Sequence, residues 1–199
     1  MSLNNEELEN FLSSERISKY KKIDDNWFKI YLKDIELAKS FYSKLHFLEI
    51  FLRNVINREF IWIYGDKWFI PNKIRSDLIF NYREENKLND ILALLNKQRK
   101  EINYHNIISN LNLGFWTNLF HKSYNNHIWQ QNDIVLKIFP HLKSSQRNIN
   151  NIHKDMNIIR KFRNRIFHFQ SLINTDTKTI HKLIDKYIYG LSKINNQNL

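Results

Sequence analysis

Apolar residues in this chain return every three or four positions, the period of helices with one buried face. The clearest stripe is Leu37, Phe41, Leu45, Leu48, Leu52, Val55 and Ile56. It predicts one or two long helices over residues 26–64, ended by Gly65-Asp66. Upstream, a first helix is predicted over residues 5–19, with Glu6, Glu7 and Glu9 in its opening turn, where the helix dipole favours anions. Residues 21–25 read as a connection, and Trp68-Phe69-Ile70-Pro71 as a short aromatic one. Residues 75–100 follow as a mostly helical stretch with Leu88, Ile91, Leu92 and Leu95 inward. Residues 107–111 and 115–124 read as two helical pieces separated by Gly114. Residues 134–142 are apolar but contain Pro140, so that element is short. Ser145 suits the cap of a long helix whose face is Ile149, Ile152, Met156, Ile159 and Ile166, running to about His168. After a turn at residues 174–176, a last helix spans residues 177–194, with Ile180, Leu183, Ile184, Tyr187 and Leu191 inward.

Composition strengthens the helical reading. Among 199 residues there are 3 Gly and 2 Pro, too few to mark the turns of a sheet protein this long. The expectation is an all-α fold in a single domain over residues 1–199. Residues 1–24 would form an N-terminal helical arm, and residues 195–199 a loose tail. With 42% hydrophobic and 14% aromatic residues, a sizeable core can form. Cysteine is absent, which excludes disulfides, thiol nucleophiles and thiolate metal sites. No apolar run reaches the roughly 18–20 residues that a spanning helix needs, so no membrane partner is expected. The opening MSLNNEELEN has neither the basic nor the apolar part of a signal peptide, and the expected compartment is the cytosol.

Charge changes the picture further. Thirty-one Lys and Arg stand against 20 Asp and Glu, a formal +11. So basic a chain is suited to a polyanionic partner, although compositional drift toward lysine accounts for the overall excess equally well. The excess is concentrated: residues 102–170 hold nine basic residues and only two acids, Asp133 and Asp155. Four of the nine, Arg160, Lys161, Arg163 and Arg165, fall within six positions. Arg160, Lys161 and Arg165 are candidate phosphate contacts, with a plain solvated face as the equal alternative.

Most chemistries are absent from the sequence. Three scattered glycines cannot build a phosphate loop, and there is no HExxH or other metal-ligand spacing. No serine sits in a G-x-S-x-G elbow, and His121 and His127, six apart, read as surface histidines. No metal and no cofactor is expected. What stands out is Arg163-Asn164-Arg165-Ile166-Phe167-His168, an R-x4-H pattern at a helix end. By itself it reads more readily as a basic C-terminus complementing the helix dipole than as a catalytic motif.

Other segments in order give the pattern a context. They are Glu49-Ile50-Phe51-Leu52-Arg53-Asn54, then Tyr64-Gly65-Asp66-Lys67-Trp68, then Leu113-Gly114-Phe115-Trp116, and finally residues 159–168. This series resembles the Abi-like family of bacterial abortive-infection proteins, which have a HEPN-type fold. Its pattern is E-x-x-L-R-N, Y-G-x-x-W, an F-G-F-W-like segment and L-R-N-R-I-x-H. The resemblance spans about residues 35–191. It departs after the motif, where His168 is followed by Phe169, Gln170 and Ser171 rather than a second histidine and Glu-Pro. The resemblance implies a HEPN-like helical bundle with additional N-terminal and inserted helices. It implies a metal-independent endoribonuclease toxin in phage defence, a homodimer with two facing motifs, and an antitoxin partner of protein or RNA. The alternative is a non-catalytic helical module that binds RNA or dimerises as a scaffold.

Chemistry gives the residues roles under that resemblance. Metal-free RNA cleavage needs a base for the 2′-hydroxyl, an acid for the leaving 5′ oxygen and positive charge on the transition state. His168 suits acid–base work near neutral pH, and Arg163 suits bidentate charge stabilisation. Asn164 would position the phosphate or the arginine. Glu49, Arg53 and Asn54 are candidate supports that orient Arg163 or His168, although Glu49 and Arg53 also have the i,i+4 spacing of an ordinary helix pair. Trp68, Trp116 and Trp129 are expected in the core rather than stacked on bases.

Overall fold

The computed structural model describes residues 5–70, 80–130 and 133–193, and every regular element among them is a helix. In chain order these are α1 (Asn5–Leu12), α2 (Ser14–Lys21), α3 (Trp27–Ser40), α4 (Tyr42–Tyr64) and α5 (Tyr82–Lys97). Then come α6 (Tyr104–Asn110), α7 (Leu113–Asn118), α8 (Ile134–Ile138), α9 (Ile149–Phe167) and α10 (Thr177–Ser192), with single turns of tighter and wider helix around residues 122–129. No helix among the described residues is long and apolar enough to cross a membrane. The chain divides into two compact units, one of residues 1–42 and 165–175, the other of residues 43–164 and 176–199.

The smaller unit is built on α1, α2 and α3. A single helix over residues 5–19 was expected, but Ser13 breaks it with φ 65°. At 100° per residue, an unbroken helix would put Leu8 and Leu12 about 130° from Ile17 and Tyr20. The break lets all four join one apolar cluster with Trp27, Phe28, Ile30 and Tyr31. Asp34 on α3 then fastens the returning segment: its carboxylate accepts from the Leu172 N–H at 3.1 Å and from the Tyr20 hydroxyl at 2.7 Å. Burial pushes the Tyr20 hydroxyl up to about 12, a Ser171 hydrogen bond pulls it back, and the neighbouring Asp34 carboxylate adds to the rise.

The larger unit packs its core around α4, whose Leu45, Leu48, Leu52, Ile56 and Phe60 are all buried. α9 contributes Ile152, Met156, Ile159 and Phe162, and α10 contributes Ile180, Ile184, Tyr187 and Ile188. Trp68, Trp116 and Trp129 are buried, with Trp68 edge-on to both Phe60 and Trp116 and Trp129 stacked on Phe120. The Trp68 indole donates to Asn57 Oδ1 at 2.9 Å and that of Trp129 to the Leu119 carbonyl, so these rings are core. Buried charges have partners, as burial requires. Glu84 accepts from the Tyr124 hydroxyl and the Asn118 amide, and Lys44 reaches Asp185 at 2.7 Å.

Several boundaries differ from expectation because local capping overrides the apolar period. α5 begins at Tyr82, after an extended Asn81; residues 75–79 of the expected helix lie outside the described residues. Gly114 lies inside α7 instead of separating two helices. The break comes earlier, where the Asn112 side chain accepts from the Phe115 N–H at 3.1 Å and caps the helix. Ser145 lies in a single turn before α9, and Asn148 does the capping, accepting from the Asn151 N–H. The tail at residues 195–199 also lies outside the described residues.

Gly190 on α10 sits against Leu142, where an added Cβ would come within 2.8 Å of the leucine side chain. Ala normally favours a helix over Gly by about 1 kcal/mol. Overpacking of this contact outweighs that gain. Gly190→Ala is expected to lower stability by about 1–3 kcal/mol in urea unfolding; a variant more stable than the wild type would contradict this packing.

Candidate functional site

Glu49 sits in the middle of α4 with its carboxylate between two other elements. Oε2 accepts from Arg163 Nε on α9 at 3.3 Å, and Oε1 accepts from the Leu113 N–H at the start of α7 at 3.1 Å. The two side chains are 23% and 19% exposed, enough shielding for the pair to hold a fixed geometry. Asn112 satisfies the Phe115 N–H in the same turn, so the first turn of α7 has two side-chain acceptors. Leu113 and Arg163 lie 64 and 114 positions from Glu49 in sequence, and all three are in the larger unit.

The other sequence-selected residues are distributed as follows. Asn164 is half-buried, next to Arg163. Arg53 is half-buried, with its Nε buried and lacking a hydrogen-bond partner, and Asn54 is exposed. No hydrogen bond among the described residues joins Asn54 to Arg163. Lys161 is exposed on α9, open to an anion. Arg160 is half-buried and grips Asn157 Oδ1 through Nε and Nη2 at 3.3 and 3.1 Å.

His168 and Arg165 belong to the smaller unit, and both are exposed. α9 stops at Phe167, so His168 is the capping residue beyond it. The stop is a paired closure: Gln170 N–H reaches the Arg165 carbonyl at 2.8 Å and Phe169 N–H the Ile166 carbonyl at 2.9 Å. Phe169 takes the left-handed conformation this closure demands, φ 54°, although glycine is the usual residue there. Arg16 Nη1 holds the Phe169 carbonyl at 2.7 Å. Phe169 also lines an open apolar cleft of about 600 Å³ with Phe11, Ile35, Tyr42 and Ile166. Nothing in the motif spacing signals this strained phenylalanine beside His168.

The basic excess is confined to one unit. Residues 1–42 and 165–175 carry eight Lys and Arg against eight Asp and Glu, whereas the rest carries 23 against 12. The whole +11 therefore resides in the larger unit. Among the described residues, no group of three or more His, Asp or Glu could together hold a metal ion.

The architecture is that of an all-α protein with a carboxylate-held arginine on a basic unit. Comparison with protein-family models, curated proteins and solved structures returns no match for this chain.

Removing the carboxylate takes an acceptor away from both the Leu113 N–H and Arg163 Nε. Glu49→Ala is expected to lower stability by about 1–3 kcal/mol. In a double-mutant cycle, Glu49→Ala and Arg163→Ala should be non-additive by at least about 0.5 kcal/mol. Strict additivity in denaturant unfolding would show that the two groups do not interact in solution.

Proposed function

We propose that this chain is a metal-independent endoribonuclease of the Abi-like, HEPN-type class, a toxin in bacterial abortive infection against phage. The observation that carries this reading is the meeting of Glu49, Leu113 and Arg163. Each stands in a different segment of the Abi-like series, and one carboxylate joins them. An arginine held by a half-buried carboxylate is oriented before any substrate arrives. Such preorganisation is what charge stabilisation of a transition state requires.

In this reading His168 transfers the proton, Arg163 stabilises the phosphorane-like charge, and Asn164 positions the phosphate or the arginine. The exposed Lys161 and Arg165 meet phosphates of the RNA, with Arg160 as a further contact. Two histidines are needed for acid and base, and a homodimer with two motif copies supplies them. An antitoxin, protein or RNA, is the partner such a toxin needs in the cytosol. A second reading is favoured by the same ion pair: Arg163 bound to Glu49 serves as a strut in a non-catalytic RNA-binding or dimerising scaffold.

Purified His168→Ala and Arg163→Ala proteins discriminate the two. The nuclease reading expects RNA cleavage in EDTA to fall about 10²–10⁴-fold in each, with helical circular dichroism unchanged. Full cleavage by folded His168→Ala protein would remove the catalytic assignment. Light scattering should give a dimer, and mixing Arg163→Ala with His168→Ala subunits should restore part of the activity. A strictly monomeric protein that cleaves RNA would rule out the paired motif.

A further inference from the structure

Outside the Glu49–Arg163 node, the basic unit carries a second concentration of proton-bearing groups. His153 on α9 and His121, in the turn after α7, stand edge to face with ring centroids 5.3 Å apart. Their hydrogen bonds fix which ring nitrogens carry protons. Asn157 Oδ1 is occupied by Arg160 Nε and Nη2, so the amide turns its Nδ2 to His153 and donates to Nε2 at 2.8 Å. His153 therefore accepts at Nε2 and carries its proton on Nδ1. His121 Nδ1 accepts from the Ser123 N–H at 3.3 Å, with the Ser123 hydroxyl at 2.9 Å. That hydroxyl in turn receives the Asn81 amide at 2.9 Å. His121 therefore carries its proton on Nε2.

Each acceptor nitrogen is thus satisfied from within the protein, and what each ring has left to offer is a donor. Arg160 adds a permanent positive charge to the same cluster. Lys122 and Lys154, both exposed, follow the two histidines in sequence. No carboxylate enters the balance: burial, then His121, then Arg160 all push the His153 imidazole below its ordinary value, and no acid opposes them. His121 is exposed and His153 half-buried, so solvent and ligands reach the cluster. With ring centroids 5.3 Å apart, the two imidazoles are close enough that one tetrahedral oxyanion could take a donor from each on different oxygens.

We propose that His121, His153 and Arg160 form a binding site for a phosphate group, distinct from the Arg163–His168 motif. Asn157 and Ser123 are positioning residues that hold each imidazole in its donor tautomer. The chemistry is shared by a backbone phosphodiester of a nucleic acid and by free phosphate. The phosphodiester is the source suited to a unit that holds the entire net charge of the chain.

The test is imidazole nitrogen–proton NMR on the full-length wild-type chain, with two probes added separately. One is inorganic phosphate; the other is a single-stranded RNA methylated at every 2′ oxygen. That strand cannot be cut by attack of its own hydroxyl, so the result is independent of the nuclease reading. The ring signals of His121 and His153 are expected to move in a saturable way. His121→Ala, at an exposed position that spares the fold, and Arg160→Gln should each weaken binding about tenfold or more. Movement with both probes assigns the site to a nucleic-acid backbone, and movement with phosphate alone assigns it to the free anion; either supports a phosphate site. Rings unmoved by both probes, or unchanged phosphate binding in folded His121→Ala protein, would overturn it.

Discussion

One carboxylate holds the centre of the larger unit. Glu49 rises from the longest helix and divides its two oxygens between the opening N–H of α7 and the guanidinium of Arg163 on α9. A helix start leaves N–H groups unpaired, and a shielded guanidinium needs a counter-charge. One residue answers both demands, so the position of α7 and the orientation of Arg163 are linked. Neither element can shift without exposing a polar group of the other. The same economy recurs elsewhere: Glu84 ties Tyr124 to Asn118, and Asp155 ties Lys186 to Tyr187. Among the described residues, which form helices and no sheet ladder, these shielded carboxylates add fixed polar links between elements to the apolar packing.

That arrangement explains how a strongly basic unit keeps its interior in order while its exterior stays free for an anion. Lys44 and Lys186 are neutralised by Asp185 and Asp155, and Arg163 by Glu49. Lys122, Lys154 and Lys161 stay exposed. The smaller unit is balanced in charge, and Phe11, Tyr42 and Phe169 are among its exposed apolar side chains. Arg163 belongs to the larger unit and His168 to the smaller.

The helices were legible because their apolar period is a property of consecutive residues. The stripe from Leu45 to Ile56 is the buried face of α4, and the Ile152, Met156, Ile159 series is that of α9. Ends were less legible, because they depend on which nearby side chain captures a free N–H. Asn112 and Asn148 did so, where glycine and serine had drawn attention. The break at Ser13 follows from a demand that only the folded unit makes, the meeting of Leu12 with Ile17 and Tyr20. Within the candidate site, Glu49 and Arg163 could be selected from sequence as members of ordered motifs. Leu113 stands in another of those motifs, but its part in the site could not be read there, because what it contributes is a backbone N–H. The pairing of His121 with His153 was equally hidden, since 32 positions separate them and only the fold brings them to 5.3 Å.

The central claim is a histidine–arginine site that cleaves RNA through the substrate's own 2′-hydroxyl. The most direct measurement is the chemistry of the ends left on RNA by the purified protein in excess chelator. The account predicts a 2′,3′-cyclic phosphate on one fragment and a 5′-hydroxyl on the other. Products with a 5′-phosphate and a 3′-hydroxyl, or cleavage that vanishes in chelator and returns with a divalent cation, would contradict it.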